Sequence, residues 1–373
     1  MYLLRAQEVD NTGTLDVELE LHVDNIPPYA ILSHRWGSPA DEPTFKELMC
    51  QTAAVKQKKG YRKLLSCCAL ALEYGLSYVW IDTCCIDKSS SAELSEAINS
   101  MYSWYEASNI CFAYMEDVPP GDYIMDDRSA FRNSIWFTRG WTLQELIAPN
   151  EVLFFDSGWS LRALGSKSTL SELLSSITGI QEEILTHREK LHTASVAQKM
   201  CWASRRQTTR VEDEAYSLMG IFGVSMPTIY GEGRKAFLRL QEEIMKGSAD
   251  HTIFAWDSDE DHEYQGMLAK SPQSFRQSGH FTSMSYNEFA DRYYSENADL
   301  QPYYTMTNFG LQIQLPIVSM SPHFEGYYFS FLAAFHEDRS VIIFLRQRDD
   351  RPAGHFFRTH FNGLRVSADP CPN

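Results

Sequence analysis

Residues 29–37 read Tyr-Ala-Ile-Leu-Ser-His-Arg-Trp-Gly, an apolar run that follows a Pro-Pro pair and ends in polar residues. A short, continuously apolar run of this kind is typical of a strand buried in a parallel sheet. Residues 77–82 (Ser-Tyr-Val-Trp-Ile-Asp) and 110–115 (Ile-Cys-Phe-Ala-Tyr-Met) have the same character. The three runs therefore predict the central strands of the fold.

Helical patterns separate these runs. Between the first two, apolar residues recur at helical spacing from Leu65 to Leu72, as they do on one face of an amphipathic helix. Between the second and the third, Ser90 followed by Glu93 is a capping-box signature, and an apolar stripe continues to Tyr105. Strand, helix, strand, helix, strand with connections of this length predicts right-handed βαβ units and a parallel sheet.

The rest of the chain changes character twice. A short helix at 141–147 and a fourth strand at 152–155 complete a predicted α/β domain over residues 1–158. A helical period then fills residues 159–248, and strand-like segments follow in residues 249–373. We therefore expect an α/β domain, a helical extension and a β-rich C-terminal region, in that order.

The composition excludes several classes of protein. With 44% hydrophobic and 22% charged residues, the 373-residue chain has the make-up of a globular protein and not of a disordered one. Its net charge of −16 argues against general nucleic-acid binding, because phosphate contacts need clustered Lys and Arg. No apolar run of 18 residues occurs, so we expect no membrane span.

The start of the chain and its cysteines indicate the compartment. Residues 1–10 lack the basic start and the apolar stretch of a signal peptide. The adjacent pairs Cys67-Cys68 and Cys84-Cys85 lie in apolar segments, which suits buried thiols in a reducing compartment better than disulfides or zinc ligands. We therefore expect a cytoplasmic protein with no metal site.

Polar side chains follow the predicted strands at their carboxyl ends. In open parallel sheets these ends meet at one rim, and ligands bind there because loops and helix N-termini converge. We therefore expect a small-molecule site at this rim, in which tryptophans supply stacking surface. Its candidate residues are Ser33, His34, Arg35, Trp36, Asp82, Asp87, Lys88, Trp141 and Glu145.

The same residues also have a structural interpretation. Arg35 could form an ion pair with Asp82 or Asp87 that fixes two loops, and Glu145 could be a solvated position on an amphipathic helix. Structural ion networks also collect at such places. Three separate polar clusters at one rim nevertheless favour a site.

A cysteine nucleophile is a rival chemistry for this rim. Cys84 or Cys85 would supply the thiolate, His34 the base, and Asp82 or Asp87 the orienting carboxylate. Nothing in the spacing is diagnostic, and paired cysteines beside a strand are more often packing residues. Both interpretations stay open at this point.

The segments that predict the fold also resemble a known family. Residues 29–37, 75–88, 89–105 and 136–149 are similar to the successive blocks of the HET, or heterokaryon incompatibility, domain of filamentous fungi. Four segments resemble the helical extension of fungal members: residues 202–210, 212–213, 230–237 and 240–244. Residues 248–256 and 268–275 match the family too, and the final hundred residues match only loosely. The resemblance implies a stand-alone protein of self/non-self recognition and cell death.

The HET domain is in turn similar to TIR domains, many of which cleave NAD with the glutamate of a W-x-x-x-E helix. Trp141-Thr-Leu-Gln-Glu145 fits that spacing. The resemblance implies a TIR-like, flavodoxin-like parallel sheet flanked by helices, with Glu145 as the catalytic carboxylate and Ser33 to Arg35 as ligand contacts. NAD would be a substrate, and no bound cofactor is expected.

Two other functions fit a stand-alone member. The protein could be a cyclase or pericyclase of secondary-metabolite biosynthesis that folds an apolar terpene or polyketide in an aromatic pocket. It could instead be a non-enzymatic module that assembles with copies of itself or with an incompatibility partner protein. In the second case Glu145 would be dispensable.

Overall fold

The computed structural model of the protein describes two compact units, Met1–Glu189 and Lys190–Asn373. The division of the chain into an α/β domain, a helical extension and a β-rich region stays a prediction. The residues described are 1–8, 15–160, 162–257, 265–294, 303–320, 324–348, 350–352, 354–359 and the backbone of 365–366.

A seven-stranded sheet forms the first unit, in the order β2-β1-β4-β3-β5-β6-β7. The central strands β4, β3, β5 and β6 are parallel to one another. The hairpin β1-β2 and the short β7 join them in antiparallel pairing. The strands are β1 Tyr2–Glu8, β2 Leu15–Leu21, β3 Tyr29–His34, β4 Tyr78–Trp80, β5 Ile110–Tyr114, β6 Val152–Phe155 and β7 Gly165–Ser166.

The predicted α/β sheet is thus confirmed in its centre, and the prediction of an all-parallel sheet is wrong at its edges. All six residues of β3 are buried, as the apolar run predicts. The strands β1 and β2 were not predicted, and they widen the sheet beyond β4. A hairpin fits at this edge because an antiparallel pair can leave one face in water; the alternating burial of β2 shows this.

Helices cover both faces of this sheet. Because β4 and β5 lie on opposite sides of β3, right-handed crossovers place α2 and α3 on opposite faces. Tyr105 of α3 donates to the carbonyl oxygen of Leu32 at 3.0 Å on one face. The helices of the first unit are α1 Phe45–Met49, α2 Lys59–Glu73, α3 Ser91–Ala107, α4 Thr142–Ile147, α5 Ser171–Thr178 and α6 Glu182–Leu185.

The short helix α4 is held at its carboxyl end by Lys167. This ammonium is 1% exposed and donates to the carbonyl oxygens of Leu146 at 3.3 Å, Ile147 at 3.4 Å and Pro149. A cation is favourable where helix carbonyls lack partners. Burial lowers the pKa of Lys167 to about 8, so the ammonium remains charged at pH 7. Lys167 therefore fixes the helix that carries Glu145.

The second unit combines short helices with an antiparallel sheet. Its helices are α7 Val196–Ala203, α8 Asp213–Tyr216, α9 Met219–Phe222, α10 Lys235–Gly247 and α11 Tyr286–Tyr293. The sheet runs β11-β12-β13-β14, with β8 on β12 and β15 on β13, and β9 pairs with β10. Its strands are β8 Thr282–Ser283, β9 Thr305–Thr307, β10 Gly310–Gln312, β11 Ile317–Ser319, β12 Tyr327–His336, β13 Arg339–Gln347, β14 Phe356–Arg358 and β15 Arg365–Val366.

Within the predicted helical stretch, residues 159–248, the second unit contains α7 to α10. The predicted strand-like stretch, residues 249–373, contains β8 to β15, but α11 interrupts it after β8. In the part of the chain that is described, no helix has the length and apolar character needed to cross a bilayer.

Replacing Lys167 by Met is expected to loosen α4. The variant leaves buried carbonyl oxygens without their charged donor, which should lower the free energy of unfolding by about 2–3 kcal/mol. Urea unfolding measures this change. Lys56→Met, at an exposed position, is the control and should change stability by less than about 0.5 kcal/mol. Equal stability of the two variants would contradict the anchoring role of Lys167.

Candidate functional site

The pleat of β3 divides the predicted rim into two clusters. Successive side chains of a strand point to opposite faces of the sheet, so Ser33 and His34 contact different neighbours. Ser33 contacts Glu145 of α4, and the positive charge of Lys63 on α2 acts on His34. The structure therefore contains a Ser33 cluster on one face and a His34 cluster on the other.

The Ser33 cluster consists of Ser33, Trp136 and Glu145. The indole Nε1–H of Trp136 donates to the Ser33 hydroxyl at 2.8 Å, and this hydroxyl donates to Oε2 of Glu145 at 2.5 Å. Because Trp136 can only donate, Ser33 accepts from it and directs its single proton to the carboxylate. Glu145 is 5% exposed, so the carboxylate is held in one orientation away from bulk water.

The groups around Glu145 stay neutral. Burial, and then the negative charge of Glu145, raise the pKa of the Tyr105 phenol and of the Cys111 thiol. Neither group therefore ionises near neutral pH to act as a nucleophile. Glu145 is therefore the one carboxylate among the three residues of the Ser33 cluster.

The His34 cluster consists of His34, Asp82, Trp36 and Lys88. His34 Nε2 lies 3.0 Å from Oδ1 of Asp82, and Trp36 Nε1–H donates to Oδ2 of the same carboxylate at 2.7 Å. The Lys88 ammonium lies 3.8 Å from the centroid of the Trp36 ring, which is a cation–π contact. Asp82 thus joins the end of β3 to the loop after β4.

Burial sets the protonation of this cluster. Burial lowers the pKa of His34, so the ring is neutral at pH 7 and donates Nε2–H to Asp82. Burial alone would raise the pKa of Asp82, but the hydrogen bonds from His34 and Trp36 and the charge of Lys88 lower it. The other ring nitrogen, Nδ1, is buried and has no hydrogen-bond partner among the described residues. Asp82 therefore orients an imidazole with a free lone pair.

Three predicted site residues lie outside both clusters. Arg35 is exposed, and its carbonyl oxygen accepts from Lys63 at 3.5 Å. Asp87 accepts from the backbone N–H and the hydroxyl of Ser89, at 2.9 and 2.6 Å, and so closes its own turn. Trp141 is half-buried and directly precedes α4.

The structure shows neither the Arg35 ion pair nor the solvated Glu145 of the structural interpretation. Within the described residues, Arg35 makes no ion pair with Asp82 or Asp87, because Asp82 is occupied by His34 and Trp36. Glu145 is buried and not solvated. Both interpretations are therefore wrong for this structure.

The cysteines behave as the sequence predicts for buried thiols. Cys67, Cys68, Cys84 and Cys85 are buried and free. Burial raises the pKa of Cys84 far above its usual value, and its thiol faces the carbonyl oxygen of Ile81 at 3.8 Å. A thiol kept protonated in this way is a poor nucleophile. In the described parts of the chain, no group of His, Cys, Asp and Glu is arranged to hold a metal ion.

Sequence reasoning missed two residues that position the rim. Oε1 of Glu42 accepts from the backbone N–H of Gly37 at 2.7 Å and from Lys63 at 2.6 Å, and so ties the loop after β3 to α2. Trp136 was expected to offer a stacking face, but it is buried and acts through its N–H. Both contacts join distant segments, so no local pattern could have revealed them.

Comparison with known proteins finds a family model that matches part of the first unit. The family described as "Heterokaryon incompatibility protein (HET)" matches residues 29–129. The vegetative incompatibility protein HET-E-1 of Podospora anserina is 44% identical over 248 residues.

The chain contains a HET domain.

The HET match includes Ser33, His34 and Asp82 and ends before Trp136 and Glu145. The relative's match covers 65% of this chain and only 18% of that protein. A second family, described as "Domain of unknown function (DUF8212)", matches residues 235–345. No solved structure matches the chain.

Replacing His34 by Gln is expected to reduce the fall in the free energy of unfolding at acid pH. The pKa of the His34 imidazole is lowered in the folded protein, whereas in the unfolded chain it is about 6.5. Below that pH the unfolded state binds more protons, so stability is lost as the pH falls towards the folded pKa. Gln keeps an N–H for Asp82 but does not titrate.

Urea unfolding at several values between pH 7.5 and pH 5 measures this difference. The free energy of unfolding should fall more steeply with acidity in the wild type than in His34→Gln. Another buried imidazole with a lowered pKa, that of His251, is present in both proteins and cancels in the comparison. Identical slopes would show that His34 is not held neutral by the fold.

Proposed function

We propose that this chain acts in fungal heterokaryon incompatibility and cell death. The HET match and the vegetative incompatibility protein of Podospora anserina support this role. That relative is much longer than the part matched here, so the proposal concerns the HET domain and not the relative's other regions. This role does not by itself specify a chemical reaction.

We propose that this chemistry is cleavage of NAD at a TIR-like site. In chain order, the four parallel strands lie in the sequence second-first-third-fourth, which is the order of flavodoxin-like sheets. In such sheets ligands bind beyond the carboxyl ends of the first and third strands, where the order reverses. Here these strands are β3 and β5, and Ser33 lies near the carboxyl end of β3.

The observation that carries the proposal is the hydrogen bond from Ser33 to Glu145 at 2.5 Å. It fixes a carboxylate beside the point where the strand order reverses. Breaking the nicotinamide–ribose bond develops positive charge on the ribose, and an oriented anion stabilises that charge. A site that excludes water strengthens the interaction.

The reaction balances without a strong general acid. The bond between ribose C1′ and the nicotinamide nitrogen breaks, and its electron pair neutralises the pyridinium ring. Nicotinamide therefore leaves as a neutral molecule. Water then adds to C1′ and loses one proton, so NAD and water give nicotinamide, ADP-ribose and H⁺. Glu145 stabilises the cationic ribose between these two steps.

Nearby cationic side chains could hold the pyrophosphate. Arg35 and Lys88 are both exposed at this rim, and Arg pairs well with phosphate oxygens. Trp36 is 44% exposed and presents the ring face opposite Lys88 for stacking. Because Glu145 is almost covered, binding must open the segment above it before the ribose can reach the carboxylate.

Replacing Glu145 by Gln tests this chemistry with little change in shape. Gln keeps an oxygen that accepts from Ser33, but it removes the negative charge. Nicotinamide release from NAD, measured by chromatography, should fall by about 100-fold or more. Glu106→Gln, at an exposed position on α3, should keep the wild-type rate. No release by the wild type, even at high protein concentration, would refute the proposal.

The burial of Glu145 also favours a second candidate, a non-enzymatic assembly module. A nearly covered carboxylate with a committed hydrogen bond fits a packing role as well as a catalytic one. In that case Glu145→Gln would still cause cell death when expressed in a fungal host. Loss of cell death in a Glu145→Gln protein that remains folded would exclude this candidate.

A further inference from the structure

A cleft of about 420 Å³ lies within the second unit, and the HET domain has no part in it. Its walls come from the start of α7, the segment 248–251 before and within a short 3-10 helix, the start of α11, and β12. The cleft is partly apolar, since Val196, Met284 and Ala333 line it. Its polar groups decide what it can bind.

Lys199 of α7 is the only lysine among the residues that line this cleft. Its side chain belongs to a residue that is 8% exposed, yet it makes no hydrogen bond or ion pair with any described residue. The centroid of the Phe222 ring lies 5.6 Å from the ammonium. Lys199 lines the cleft, so its ammonium is within reach of a ligand bound there.

The carboxylate of Asp250 does not neutralise Lys199. Oδ2 accepts from the backbone N–H of Val196 at 2.8 Å, and Oδ1 accepts from that of Thr252 at 2.9 Å. These bonds cap α7 and the following 3-10 helix, and they hold the carboxylate beyond ion-pair distance of the ammonium. Burying an ammonium without a partner costs stability. The charge of Asp250 acts on Lys199 only from beyond ion-pair distance, so the buried ammonium has no direct charge partner among the described residues.

His251 adds a neutral donor to the cleft. Its Nδ1 accepts from the backbone N–H of Ala333 at 3.1 Å, so the ring proton must lie on Nε2. Burial lowers the pKa of His251 to about 4, and the ring is neutral at pH 7. Nε2–H makes no hydrogen bond with the described residues. It is thus available to an acceptor on a ligand.

The remaining amides at the start of α7 are already used. Ala197 N–H donates to Thr252 Oγ1 at 3.1 Å, and Gln198 N–H donates to Ser195 Oγ at 3.1 Å. A phosphate site typically offers several free amides or several cations. The lining of this cleft also includes His192 and hydroxyl-bearing residues such as Ser248 and Ser283, but Lys199 is its one lysine. A single ammonium beside an apolar wall suits a singly charged anion with an organic body.

We propose that the cleft of the second unit binds a small organic carboxylate, with the Lys199 ammonium as its anchor. The carboxylate accepts from Lys199 and from Nε2–H of His251, and its apolar body packs against Met284 and Ala333. The bound anion supplies the charge partner that the fold withholds from Lys199. This proposal does not depend on NAD cleavage or on Glu145.

The test is binding of acetate and benzoate to the full chain, measured by isothermal titration calorimetry. Lys199→Met keeps the aliphatic stem but removes the charge, and it should weaken benzoate binding by about 10-fold or more. Lys246→Met is the matched control, because Lys246 is exposed and pairs with Glu243 on α10. It should bind both anions as the wild type does.

Two further measurements keep the result decisive. Lys199→Met should melt at a higher temperature than the wild type without ligand, because an unpaired buried charge is gone; this also shows that the variant folds. Benzamide, the neutral analogue, should bind both proteins equally. Equal benzoate affinity of the wild type and Lys199→Met would overturn the proposal. So would tighter binding of inorganic phosphate, or no binding of either carboxylate.

Discussion

The alternation of side chains along β3 is the constraint on which the rim depends. This strand lies between β4 and β5 and is buried along its whole length. Its pleat sends Ser33 towards α4 and His34 to the opposite face. One central strand therefore supports two polar clusters that share an edge of the sheet but no side-chain contact. A mutation on one face need not disturb the chemistry of the other.

Three buried charged side chains of this protein differ in the partners that they contact. Lys167 meets several helix carbonyl oxygens, so its burial stabilises α4. Glu145 receives a hydroxyl that is itself fixed by an indole. Lys199 meets only an aromatic ring at a distance. The hydrogen bonds of Lys167 and Glu145 within the protein explain why these charges can be buried. For Lys199, the proposed ligand supplies the corresponding partner.

The sequence predicted the centre of the fold because apolar runs and helical periods are local signals. The strand at 152–155 matches β6, and Ser90 caps α3 as expected. The hairpin β1-β2 was missed although residues 15–21 alternate strictly between apolar and acidic side chains, so that signal was available. The rim was found from strand ends, but its division between two faces, and the role of Trp136, depend on contacts across the chain.

If Glu145 acts as proposed, its closed setting has opposite effects on catalysis and on access. An anion shielded from water interacts more strongly with a developing positive charge than one in bulk solvent. The same shielding keeps a ribose ring away until the covering segment moves. A domain built in this way would be nearly inactive at rest and would gain activity only when binding or assembly opens the rim. Such control suits a protein whose activity would kill its own cell. The two candidate functions therefore differ in whether the rim opens to admit a ligand, and the presence of Glu145 alone does not distinguish them.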